Sequence, residues 1–332
     1  MVIDVHTHIV PDSFPPSLGR AAGDAWPQMV HHEPGKADLM ISGRNHRTCT
    51  DQCWNLARRI SELPEQGIDR QVLSPFPRLL DYGLNPKDGR DLAAYLNITI
   101  AGMVQRHPDR FIGLGSVPLQ DPDLAARELA DVKEMGLRGV EITTHINAVS
   151  PGDARFWPFW REVERLGLCV FVHAGDPTFV ERIVGPNYLR NAVGFPTENT
   201  LASSSIVTSG LMEECPNLRV CFSHGAGGFT LLLPRIQQLW RNSAELREAM
   251  PAEPFSYARK LYYDDIFFDL RATRYLLDTV GSTQVVIGSD YPLMARIHTP
   301  EREFAELGLS PAEAELVGWR NAARFLGLSG AN

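Results

Sequence analysis

No stretch of the 332 residues approaches the ~18 consecutive apolar residues that a membrane-spanning helix needs. Positive charge is also in short supply: 32 lysines and arginines against 40 aspartates and glutamates leave a formal net charge of -8. A nucleic acid or an anionic membrane requires a basic footprint, so neither partner is expected. The five cysteines (Cys49, Cys53, Cys169, Cys215 and Cys221) are odd in number and scattered, which excludes a disulfide framework and predicts reduced thiols. Cys49 and Cys53 lack the second cysteine pair or nearby histidine pair that would complete a zinc site. Met1 leads into a strand-like segment with no basic region or cleavage site, which points to the cytoplasm. A glycine-rich phosphate turn is missing too, for the first strand ends instead in His6-Thr7-His8.

What is present is a globular composition, 44% hydrophobic and 22% charged, with a repeating pattern. Eight short runs read as strands: Ile3 to Ile9, Arg70 to Ser74, Phe111 to Val117, Gly139 to Thr144, Cys169 to His173, Arg219 to His224, Ile266 to Leu270 and Val285 to Asp290. Most are continuously apolar, as befits parallel strands buried on both faces. Apolar residues at three- and four-residue spacing mark helices between them, over Asp91 to Arg106, Leu124 to Met135, Phe156 to Leu166, Leu201 to Glu214 and Thr230 to Arg241. Eight strand-helix units predict an α/β chain closed into a (β/α)8 TIM barrel, one domain over residues 1–332. Two long connections, residues 10–50 and Gly175 to Asn199, fall at the C-terminal ends of strands. The first is expected to be an insertion or lid over the active site, the second a wall of the substrate pocket.

Potential metal ligands stand at four strand ends: His6 and His8, His173, His224, and Asp290. Residues two apart on a strand share a face, so His6 and His8 can grip one ion. A lone histidine is more often a hydrogen-bonded core residue, and a lone H-x-H is a weak motif; five candidates on one barrel rim reverse those odds. Imidazoles with one carboxylate suit zinc and also accept manganese, cobalt or iron. Arg44, His46 and Arg47 form a basic cluster in the first long connection, and a guanidinium can hold a carboxylate by two parallel hydrogen bonds. Arg235, after Pro234 in a helix-like stretch, reads equally as a surface ion pair or a ligand contact. Phe179 and Tyr188 are candidates for a ring-stacking wall, whereas Trp157, Trp160 and Trp240 sit at helical spacings that suit packing. His31, His32, His107, His145 and His298 read as loop or surface residues.

The opening Ile3-Asp4-Val5-His6-Thr7-His8, the strand end Cys221-Phe222-Ser223-His224-Gly225 and the segment Gly288-Ser289-Asp290-Tyr291-Pro292 resemble amidohydrolase family 2. The likeness runs almost end to end and includes Val117-Pro118-Leu119-Gln120-Asp121 and Leu232-Leu233-Pro234-Arg235. It implies an amidohydrolase-type barrel in which His6, His8, His173 and Asp290 bind one divalent metal, usually zinc, with no organic cofactor. His224 would handle protons together with Asp290. Arg47 would bind a carboxylate of a small anionic substrate, joined by Arg235 of the partner subunit in a homodimer. The implied reaction is nonoxidative release of carbon dioxide from an unsaturated or aromatic acid, 2-amino-3-carboxymuconate 6-semialdehyde or a close analogue. A hydroxybenzoate of the resorcylate type is the alternative substrate, and a hydrolase or hydratase on the same metal is the alternative reaction. After His173 this chain has Ala174-Gly175-Asp176, where the nearest members typically have proline and tryptophan, so the pocket wall is its own.

Overall fold

The computed structural model describes residues 1–16, 26–294 and 296–328; residues 17–25, within the expected 10–50 insertion, lie outside it. The chain runs through β1 (Ile3–Ile9), an antiparallel meander of β2 (Gln28–Glu33), β3 (Lys36–Ile41) and β4 (Arg44–Thr50), then helix α1 (Leu56–Gln66). Strand-helix units follow: β5 (Arg70–Pro75) with α2 (Pro86–Arg106), β6 (Phe111–Gly113) with α3 (Pro122–Glu134), and β7 (Gly139–Thr143) with α4 (Trp157–Leu166). Next come β8 (Cys169–His173) with α5 (Phe195–Thr208) and α6 (Leu211–Glu214), and β9 (Arg219–Phe222) with α7 (Phe229–Asn242). The last barrel strands are β10 (Tyr262–Asp264) and β11 (Val285–Val286).

Parallel pairing runs β1-β5-β6 and β7-β8-β9-β10-β11. The bridge Gly115↔Val140 joins the two runs on one side, and Asp4↔Ile287 with Thr7↔Tyr291 closes them on the other. The result is the expected eight-stranded ring, with every residue of β1, β7 and β8 buried. Core side chains fill both the barrel interior, including Val5, Val72, Phe171 and Val286, and the layer beneath the helices, including Leu129, Phe159, Trp160 and Phe229. Trp160 is fully buried and donates from Nε1 to the Pro151 carbonyl at 2.8 Å, as its packing role requires. Asn97 is buried within α2 and exchanges hydrogen bonds with Ser116, a structural position. All five cysteines are free and buried.

Helix boundaries follow their caps. Helix α2 begins five residues before the expected start because the Asn85 side chain accepts from the Lys87 and Asp88 amides and Pro86 supplies the first turn. The single helix expected over Leu201 to Glu214 is two, broken at Gly210, whose φ of 83° no ordinary helical residue adopts.

The seventh barrel strand corrects the reading of Ile266 to Leu270. The ladder instead uses Tyr262–Asp264, with Tyr262 opposite Cys221 and Tyr263 opposite Val285. The later run cannot continue it. Phe268 has a φ of 59°, and Asp269 caps the next helix, Leu270–Val280, by accepting from the Arg271 amide.

The connection after β1 proves to be a small sheet. Leu39 and Ile41 point inward with Cys49, Cys53 and Trp26 and pack on Phe76, Leu79, Leu92 and Leu96, so the meander is seated on the barrel rim beside β5 and α2. Its second turn places Ser42 and Gly43 at φ 52° and 68°, the paired left-handed conformation that suits the twist of a tight hairpin.

Candidate metal centre

The ligand atoms of His6, His8, His173 and Asp290 all lie within 4.8 Å of one another, and all four residues are buried. His6 Nε2 and His8 Nε2 stand 3.1 Å apart, with Asp290 Oδ1 at 3.4 Å from the first and 3.1 Å from the second. Separations near 3 Å are those of neighbouring ligands bound at about 2.0–2.2 Å from one ion. Among the described residues, His173 Nε2 and Asp290 Oδ1 have no hydrogen-bond partner although both atoms are buried. Two orphaned buried polar atoms aimed at one point are costly unless something binds them. The residues therefore fit one divalent cation held by three imidazole nitrogens and one carboxylate oxygen.

The remaining imidazole nitrogens are occupied by the protein. His6 Nδ1 lies 2.6 Å from Asp264 Oδ2, His8 Nδ1 lies 3.1 Å from the Pro75 carbonyl, and His173 Nδ1 lies 2.9 Å from the Ala174 carbonyl. Such contacts fix the tautomer that leaves Nε2 free to ligate. Burial, reinforced by the neighbouring His8, His6 and His224, holds His173 well below the usual histidine range, so it is neutral and able to bind metal. Burial pulls His6 down as well, but the flanking Asp264 and Asp290 carboxylates push it up to about 10, so a cation at Nε2 would bind by displacing the proton there while Asp264 keeps the one on Nδ1. Burial alone would raise Asp290; the His6 and His8 rings beside it, at 3.4 and 3.1 Å, outweigh it and keep the carboxyl well below its ordinary range.

His224 stands beside this set and outside it, its ring centroid 5.3 Å from those of His6 and His173. Burial, then the His6 charge, lowers its pKa. The residue lies in a left-handed turn, with φ of 51° at His224, 56° at Gly225 and 59° at Ala226. Backbone of this kind clusters at functional sites. A Cβ at position 225 would stand 2.0 Å from the Phe267 ring, so only glycine fits.

Arg47, on β4, donates from Nη2 to the Leu293 carbonyl at 3.1 Å, which ties it to the segment just beyond Asp290. Arg235 is exposed on α7 with no ion pair or hydrogen bond among the described residues, and Leu231, Leu232 and Leu239 are exposed on the same helix. Phe179 is partly buried in the connection after β8, whereas Tyr188 is 86% exposed there. Neither enters the ligand cluster. Across the rim, Arg78 pairs with Asp176, linking the segments after β5 and β8, and His145 Nε2 meets the Asp176 carbonyl at 2.7 Å.

Three buried residues escaped the sequence reading. Asp264 backs His6. Glu141, on β7, lies 3.7 Å from His8 Nδ1, and burial pushes its carboxyl up to about 8. Arg59, on α1, donates to the His8 carbonyl and lies 4.8 Å from the Tyr291 ring centroid. A lone acid within the apolar run Gly139–Thr143 was a usable signal for Glu141; Arg59 carried none.

A parallel eight-stranded barrel with a three-histidine, one-aspartate cluster and an unligated histidine beside it defines a metal-dependent barrel enzyme. The amidohydrolase family profile matches residues 3–328. The 2-amino-3-carboxymuconate-6-semialdehyde decarboxylase of Dictyostelium discoideum is 36% identical over 335 residues, covering 98% of this chain and 91% of that protein. The gamma-resorcylate decarboxylase of Rhodococcus jostii is 28% identical, covering 81% and 87%. Among solved structures, 5-carboxyvanillate decarboxylase from Sphingomonas paucimobilis superposes with a TM-score of 0.80 at 21% identity, over 99% of both chains. Dihydroxybenzoic acid decarboxylase from Polaromonas, solved with bound manganese and 2-nitroresorcinol, gives 0.75 at 22% identity, over 98% of this chain and 96% of that one. The chain belongs to the amidohydrolase family, and within it to the metal-dependent nonoxidative decarboxylases.

Proposed function

We propose that the protein releases carbon dioxide from 2-amino-3-carboxymuconate 6-semialdehyde or a close analogue, using one divalent ion, zinc, and no organic cofactor. The observation that carries this reading is the pairing of a complete ligand set with His224, a histidine beside the site but outside the ligand cluster. The substrate follows from the 36% identical relative, and zinc from a donor set of three nitrogens and one oxygen. Manganese is the second choice. The bound ion would activate water and polarise a substrate oxygen, drawing off the negative charge that develops as the carboxylate leaves.

The remaining work belongs to side chains. Arg47 holds a substrate carboxylate by two parallel hydrogen bonds, exchanging its carbonyl partner for the stronger anionic one. His224, whose pKa burial lowers, accepts or returns a proton beside the ligand cluster, with Asp290 as the second carrier. Phe179 and Tyr188 form the wall that meets the conjugated part of the substrate, and the meander acts as a lid. Arg235 of the partner subunit completes the carboxylate site in a homodimer; an unpaired arginine among exposed leucines on α7 supports this. Five buried free thiols suit a reducing cytoplasm.

The test is carbon dioxide release by zinc- and manganese-loaded protein against carboxymuconate semialdehydes and hydroxybenzoates. Turnover of the first class without the second supports the proposal. Turnover only of hydroxybenzoates moves the substrate, and hydrolysis or hydration without carbon dioxide overturns the reaction.

A further inference from the structure

We infer that Asp264 is the positioning residue that couples metal binding to the placement of His224, resting on the metal-centre reading above. Both of its carboxylate oxygens are committed, and to different parts of the site. Oδ2 lies 2.6 Å from His6 Nδ1, while Oδ1 accepts from the Gly225 amide at 3.0 Å and the Ile266 amide at 3.2 Å. One arm grips a metal ligand; the other grips the left-handed turn that carries His224.

The Oδ2 arm acts by tautomer. A carboxylate can only accept, so it holds the His6 proton on Nδ1 and leaves the Nε2 lone pair for the cation. The Oδ1 arm acts on backbone. His224 and Ala226 adopt a left-handed conformation that L residues otherwise avoid, and the Gly225 amide between them is fixed by Asp264. The carboxylate has no room to relax: Asp264 is fully buried, and a Cβ on Gly288 would stand 2.9 Å from its Cβ and 3.0 Å from that of His6. Movement of His6 on binding a cation is thus felt at His224 through a single rigid side chain, without His224 touching the ion.

Asp264→Asn separates the two arms. The amide oxygen can still accept from Gly225, but the amide nitrogen facing His6 is a donor, which favours the histidine proton on Nε2 and weakens ligation there. Zinc and manganese binding to metal-stripped full-length protein, measured by chelator competition, should weaken ~10–100-fold, with the melting temperature of the stripped protein little changed. Asp264→Ala removes both arms. At saturating metal its kcat should fall below that of Asp264→Asn while KM stays the same, and hydrogen exchange at the Gly225 amide should quicken. If the alanine variant does not fold, Asp264→Ser takes its place, since its hydroxyl is too short to reach both partners. Wild-type affinity in Asp264→Asn would overturn the tautomer arm. Equal kcat and equal Gly225 exchange in the asparagine and alanine or serine variants would overturn the turn arm. Failure of the wild-type protein to bind one equivalent of metal would instead reject the metal centre itself.

Discussion

His173 shows how surroundings can suit a residue to bind metal: burial and three nearby histidines lower its pKa, and among the described residues its Nε2 has no hydrogen-bond partner. His173→Ala should therefore leave less than stoichiometric metal by elemental analysis and no turnover. His224→Ala should retain metal and lose ~10²–10⁴-fold in kcat, the usual contribution of a positioned acid-base group. Loss of metal in that variant would make His224 a ligand. Arg47→Lys keeps the charge but loses the two-point grip, so kcat/KM should fall ~10–100-fold with the unfolding midpoint unchanged. The candidate ligands were legible because residues at the ends of parallel strands converge on one rim, and the H-x-H spacing places two of them on one face. Asp264 was not legible, because its strand was placed four residues too late and the acid then stood outside the barrel pattern.

At the scale of elements, that misplacement has a physical cause. Ile266, Phe267 and Phe268 are more apolar than Tyr262-Tyr263-Asp264, yet the strand is the segment that can pair on both sides, and Asp269 diverts the later run into a helix. Asp269→Ala should accordingly cost about 1 kcal/mol in denaturant unfolding, as for other lost helix caps. No measurable cost would mean that the helix is held by its packing alone. The meander was readable in part. Lys36-Ala37-Asp38-Leu39-Met40-Ile41 alternates, and Pro34-Gly35 and Ser42-Gly43 flank it as turn signals, but β2 is almost wholly exposed and offers no apolar face. Composition alone made the segment resemble a plain loop. The barrel strands were clear because burial on both faces leaves continuous apolar runs.

The whole molecule supplies the strongest test of shared sites. If, as proposed, Arg47 comes from one subunit and Arg235 from the other, either alanine variant alone should inactivate both sites of a homodimer. Mixing Arg47→Ala and Arg235→Ala chains with subunit exchange should restore roughly a quarter of all sites, since a mixed dimer has one intact site and one doubly defective site. No recovery, with exchange verified by a mass tag, would place both arginines in the same chain. Oligomer state itself is a property of surfaces, and periodicity reports only which side of an element faces the core.

The barrel seam has a consequence for how the protein is made. His6 and His8 lie on the first strand, whereas Asp290 follows the last, and the two edges meet through the bridges Asp4↔Ile287 and Thr7↔Tyr291 and three backbone hydrogen bonds, from the Val5 amide to Ile287, the Asp290 amide to His6 and the His8 amide to Tyr291. A chain still emerging from the ribosome has its first two ligands long before the fourth exists. An ion held by His6, His8 and Asp290 would therefore arrive after synthesis and add a cross-link to a seam the backbone already closes, so that metal supply would bear on how long each finished molecule survives as well as on whether it works.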